Sequence, residues 1–127
     1  YKFLLLAHSP KHYTQLGQLV AKVGSYSVEE FQQQYSALFM EALKIKTTSK
    51  KNMNVLQHIF GYISDKLSSE EKNDILSTLN DYHRELIPLI VPITLLSHYA
   101  KKFNVKYICE QVYLSPHPKE LMLRNHV

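Results

Sequence analysis

Histidines have the widest chemical reach of any side chain near neutral pH, as metal ligands and as proton donors or acceptors, and this chain of 127 residues carries seven. His8 and His12 stand four apart, the spacing that sets two imidazoles on one helical face as a metal site requires. Between them, Ser9 can serve as an N-cap and Pro10 as a first helical residue, so the helical register breaks there. No third ligand follows at a fixed local spacing. A metal-dependent or acid–base enzyme would have to gather His8, His12, His58 and His98 through the fold, with His117, Asp65 or Glu120 alongside. The plainer use of such histidines is at core edges, hydrogen-bonded to backbone or tyrosine. A single cysteine, Cys109, excludes an intramolecular disulfide and a cysteine-rich metal or cluster site, and it fits a reducing, cytoplasmic setting.

A second chemistry needs cations for phosphates and flat rings on which unpaired bases stack. The chain has 15 Lys and Arg against 11 Asp and Glu, a net charge of +4, and nine tyrosines. Tyr35, Tyr82 and Tyr99 fall on apolar stripes and read as core. Lys44, Lys46, Lys50 and Lys51 cluster around the Thr47-Thr48-Ser49 connection, and Lys101, Lys102 and Lys106 form a second group. Lys50 and Lys51 open a helix, where the macrodipole disfavours cations while free amides and hydroxyls favour a phosphate. Solvated loop lysines are the plainer reading.

The helix opened by these lysines is the centre of the chain. Met53, Leu56, Ile59, Phe60, Ile63 and Leu67 recur at three- and four-residue spacing and form an apolar stripe. Beside it runs a polar row, Asn54, His58, Gly61 and Asp65. A glycine inside a helix costs about 1 kcal/mol relative to alanine, so Gly61 implies a close approach, either by a neighbouring helix or by a ligand.

The remaining elements also read as helices. Tyr1 to His8 is the tail of an amphipathic helix. The next runs to about Lys22, with Tyr13, Leu16, Leu19, Val20 and Val23 as its stripe and Gly24 as its C-terminal cap. Ser27 with Glu30, and Ser68 with Glu71, carry the capping-box pattern. The first opens the stripe Val28, Phe31, Tyr35, Leu38, Phe39 and Ala42; the second opens Ile75, Leu79, Tyr82 and Leu86, with a helix expected to reach Leu86 or Ile87. Pro88 and Pro92 bracket a sharp buried corner, with Pro92 beginning a helix that Asn104 ends. A further helix is expected over Val105 to Tyr113, then a turn at Ser115-Pro116-His117-Pro118 and one or two closing helical turns whose Leu121, Met122 and Leu123 dock on the central helix. No segment alternates with period two. The fold class is all-α, a single compact bundle of six to seven helices.

The apolar run Phe3 to Ala7 is too short to span a bilayer, and the hydrophobic content of 45% suits one core. The chain begins at Tyr1 in what reads as mid-helix, so residues 1–127 are read as one domain, able to be the C-terminal part of a longer chain.

Several long motifs carry a resemblance: Ala7-His8-Ser9-Pro10-Lys11-His12-Tyr13 with Leu16-Gly17, Asn54-Val55-Leu56-Gln57-His58 with Gly61-Tyr62, Leu86 to Pro92, Leu95-Leu96 with His98-Tyr99, Tyr113 to Pro118, and Glu120 to Asn125. Over essentially its whole length the chain resembles the YbgA-like bacterial domain of unknown function. The resemblance implies a domain that stands alone or follows an iron–sulfur desulfidase domain of the thiouracil-desulfidase type. In the fused proteins it looks like the part that holds thiolated tRNA for its catalytic neighbour.

The leading expectation is an RNA-binding accessory domain, for tRNA, without catalysis or a cofactor of its own. Its contact set is Lys11, His12, Lys44, Lys46, Lys50, Lys51, Asn54, His58 and Arg124. Arg124 either grips a phosphate beside His58 or fastens the tail to Asp65 or Glu120. The histidine enzyme and a protein-interaction module that docks a desulfidase are the alternatives.

Overall fold

The computed structural model describes residues 1–114, among which lie seven α-helices and no strand: α1 (Lys2–His8), α2 (Pro10–Ala21), α3 (Val28–Lys44), α4 (Ser49–Ile63), α5 (Ser69–His83), α6 (Ile90–Lys102) and α7 (Lys106–Cys109). Short 3₁₀ turns follow α2 at Val23–Ser25, α4 at Ser64–Lys66 and α7 at Val112–Leu114. The motifs from Ser115 onward, including the expected docking of Leu121 to Leu123 and the post for Arg124, lie outside the described residues. An all-α bundle is what the patterning required.

Local chemistry sets most of the helix ends. Ser9 caps α2 by accepting from the His12 amide at 3.2 Å, with Pro10 at the first helical position, so α1 and α2 are separate helices. Ser68 and Glu71 form a reciprocal capping box. The Glu71 carboxyl is held below its usual range, first by the Ser68 amide and then by Lys102, whose ammonium lies 3.1 Å away and ties α6 to α5. At α3 only half of the expected box forms: Ser27 accepts from the Glu30 amide, while no hydrogen bond returns from Glu30.

Helix α5 stops at His83, short of Leu86. Glu85 adopts a positive φ of 61°, and the amides of Glu85 and Leu86 bond back to the carbonyls of Tyr82 and Asp81. This is the Schellman arrangement, made here without glycine. Asn104, with φ of 55°, ends α6 the same way through Lys101 and Ala100. Helix α6 begins at Ile90, with Leu89 as N-cap and Pro92 already its third residue. A proline there removes no intrahelical bond, because the first-turn amides have no partner within the helix. The expected helix over Val105 to Tyr113 is broken into α7 and a 3₁₀ turn.

Helix α4 is the hub, packed against α1, α5 and α6. Val55, Leu56, Ile59 and Ile63 are fully buried and join Phe3, Ile75, Leu89, Ile93, Leu96, Ile108 and Tyr113 in the main core. At about 1.5–3 kcal/mol per buried large apolar side chain, this cluster dominates the fold. Met53 and Phe60 are only half-buried at its edge, and Leu67 lies past the end of α4. Asn52 is fully buried too: its amide donates to the Thr48 carbonyl at 3.1 Å, and its Oδ1 accepts from the Tyr113 hydroxyl at 2.7 Å.

The second core is small: Leu5, Leu16 and Ala42 are buried, with Tyr13, Tyr35, Leu38, Phe39 and Leu43 packed around them. The stripe expected to bury α3 is therefore half-buried along most of its length, with Ala42 its fully buried member. Phe31, Tyr35 and Phe39 stack along it, at 5.7 and 6.2 Å between centroids, and Tyr1 meets Phe39 edge-on. Val28 and Met40 are exposed, as are Val20 and Val23 beyond the α2 contact. Among the described residues α3 packs chiefly against α1 and α2. Gly24 has a negative φ within its 3₁₀ turn and is not a left-handed cap.

Candidate nucleic-acid interface

Helices α4 and α5 form an antiparallel hairpin with an open groove of about 540 Å³ between their outer faces. One wall is Lys50, Met53, Asn54 and Gln57; the other is Leu76, Leu79, Asn80 and His83. Each wall follows the i, i+3, i+4, i+7 spacing of a single helical ridge. Lys50 at the start of α4 and His83 at the end of α5 put two nitrogenous side chains at one end. Asn54, Gln57 and Asn80 supply three carboxamides along the rest, alongside the apolar side chains of Met53, Leu76 and Leu79. Carboxamides donate and accept together, so the groove can hydrogen-bond base edges or sugars while Lys50 meets a phosphate.

Next to the groove runs the outward row of α4. Asn54, His58, Gly61 and Asp65 are all exposed. Among the described residues no helix crosses at Gly61: a Cβ placed there would meet none of their atoms within 4 Å. Nothing in the described fold therefore explains this glycine. Asp65 belongs to the 3₁₀ turn after α4.

The basic loop divides in two. Lys44, Lys46 and Lys50 are exposed. Lys51 turns inward, its ammonium donating to the carbonyls of His8 at 2.8 Å and Lys46 at 3.3 Å. His8 in turn donates from Nδ1 to the Ile45 carbonyl at 2.7 Å. These bonds fasten the loop onto the end of α1, and the side chain of Thr48 caps α4 through the Lys51 amide at 3.2 Å.

His12 is buried. Its Nδ1 lies 2.8 Å from the Ser9 hydroxyl and its Nε2 lies 3.4 Å from a carboxylate oxygen of Glu41. Serine, histidine and glutamate are the residue types of a hydrolytic triad. Here the serine is itself buried and already engaged as the α2 N-cap, so the set serves to fasten the α1–α2 corner to α3. Lys11 is exposed on α2, and His98 is exposed on α6, 5.2 Å from the Tyr99 ring. Among the described residues no three His, Cys, Asp or Glu side chains come together to hold a metal ion. His8, His12, His58 and His98 thus do not make one site.

Of the expected contact set, the groove unites Lys50 and Asn54, with His58 one turn further along α4. Gln57, Asn80 and His83 were not expected. Their only sequence signal is that they flank the α4 and α5 stripes at helical spacing, and this becomes a site only once the two helices pair. Among the described residues no helix is long and apolar enough to cross a membrane.

The domain is all-α and organised on α4, with an open groove between α4 and α5 lined by apolar, amide and basic side chains. The chain belongs to the family described as protein of unknown function DUF1722, which matches residues 2–118. It is 27% identical over 126 residues to the uncharacterized protein YbgA of Escherichia coli strain K12, across 98% of this chain and 75% of that protein. No solved structure matches the chain.

Proposed function

We propose that this domain is a cytoplasmic RNA-binding accessory module that holds tRNA for a desulfidase partner or fused domain and has no catalysis of its own. The observation that supports it best is the α4–α5 groove, where Lys50 and His83 stand at one end of a line of three carboxamides open to solvent. Phosphate contacts fix register and amide contacts read exposed edges, the division of labour seen in nucleic-acid interfaces. The net charge of +4 adds a diffuse attraction for polyanions. The face of α3, with its stacked Phe31, Tyr35 and Phe39 and its exposed Val28 and Met40, suits contact with the partner protein. Retention of total tRNA that falls steeply with salt is the expected result. Absence of retention at low salt would contradict this reading.

A further inference from the structure

At the opposite end of α4 from Lys50, roughly 18 Å along the axis at 1.5 Å per residue, a second surface is built for flat ligands. Tyr62 of α4 and Tyr107 of α7 set their rings 5.2 Å apart at 37°, and each residue is nearly half exposed, at 43% and 45%. Phe3 of α1, fully buried, meets both edge-on at 6.0 and 6.3 Å. The pair is thus held up from below. Its frame is held as well: the Phe3 amide donates to Gln111 Oε1 at 3.3 Å, and the Gln111 amide donates to the Tyr107 carbonyl at 3.4 Å. The Lys2 ammonium, 5.6 Å from the Phe3 ring centre, places a cation beside the rings.

A single exposed apolar side chain needs no explanation. Two exposed rings from different helices, fixed on a buried third ring with a cation alongside, form a stacking platform of the kind that single-stranded nucleic acid uses. We propose that Tyr62 and Tyr107 form a stacking site for an unpaired nucleobase, with Lys2 placed for the phosphate of the same nucleotide. Partial burial raises the Tyr107 phenol above the ordinary tyrosine value and Tyr62 pushes the same way against Lys2, so the ring stays neutral around pH 7. The physiological ligand rests on the RNA reading, whereas the stacking chemistry can be tested with a nucleotide alone.

The experiment follows the tyrosine ring resonances of the protein by NMR during titration with adenosine monophosphate and with a short single-stranded oligoadenylate. The Tyr62 and Tyr107 signals are expected to shift together, and Tyr62→Ala to weaken oligoadenylate binding by about tenfold or more, given the usual strength of base–aromatic stacking. Tyr62→Phe should bind as the parent does, and Tyr62→Ala should leave duplex RNA unaffected. Ring shifts with the mononucleotide in a protein that retains no tRNA would defeat the RNA reading and uphold the platform. No ring shift with either probe, or equal oligoadenylate affinity in a folded Tyr62→Ala protein, would overturn it.

Discussion

The ammonium of Lys51 donates to the main-chain carbonyl of His8 at 2.8 Å, joining the first turn of α4 to the end of α1 across 43 residues of chain. The neighbouring Lys50 points instead into the α4–α5 groove. Two adjacent lysines with the same sequence signature thus have different work. Replacing Lys51 with methionine should destabilise the fold by about 1.5–3 kcal/mol, the usual worth of a hydrogen bond to a charged group. Lys50→Met should stay within about 0.5 kcal/mol of the parent, as surface changes do. Denaturant titration of both variants checks this, and equal losses would mean that the tie to His8 adds nothing.

That division shows where sequence reasoning reaches its limit. Periodicity and caps located the helices because both are local: Ser9-Pro10, Ser68 with Glu71, and the α4 stripe each act within two turns. Burial depends on which helices meet. The α3 stripe has as good a period as that of α4, yet among the described residues α4 packs against α1, α5 and α6 while α3 packs chiefly against α1 and α2. Asn52 reads as polar surface until Tyr113, 61 residues away, supplies its partner. The left-handed ends at Glu85 and Asn104 differ in legibility, since asparagine favours that conformation and glutamate does not. For the groove, Lys50 and Asn54 were visible as helix-surface polar residues, while Asn80 and His83 needed the pairing of two helices.

The Asn52–Tyr113 bond is buried at both ends. Tyr113→Phe keeps the ring but leaves Asn52 Oδ1 without its donor, so we expect a loss of about 1–3 kcal/mol, the range for an unpaired buried polar group. The double variant Asn52→Leu with Tyr113→Phe should lose less than the sum of the singles. Additive losses in that cycle would show that the two groups are not coupled.

Tyr82 is buried with its hydroxyl near Ser49 and Asn52 but without a well-formed hydrogen bond to either. Burial pushes its phenol above the ordinary tyrosine value of 10.0, outweighing the pull of those two neighbours. Above that value the unfolded chain releases the proton while the folded chain keeps it. Stability from this group is therefore complete below about pH 10 and is lost as pH rises through the folded value. Tyr82→Phe should match the parent or exceed it by up to about 1 kcal/mol at pH 8, with the gap widening by pH 11. A gap that stays constant over that range would contradict the assignment.

Among the described residues, nothing lies within 4 Å of where a Gly61 side chain would stand. Gly61→Ala should raise stability by up to about 1 kcal/mol, since alanine is the better helix former. If the glycine serves close approach of an RNA backbone, tRNA affinity should fall in the same protein. Thermal melting and a binding assay on one preparation measure both, and higher stability with unchanged affinity would place Gly61 outside the contact.

The most direct test of the groove is the tRNA affinity of the parent and of Lys50→Glu, measured by fluorescence anisotropy across a series of salt concentrations. The parent should bind with a log–log salt slope that reports its phosphate contacts. Lys50→Glu should bind more weakly at every salt concentration, with the slope shallower by about 0.7–0.9 for the lost contact and the melting temperature unchanged. A parent that does not bind tRNA, or a variant with the same affinity and slope, would contradict an RNA-binding role for the α4–α5 groove.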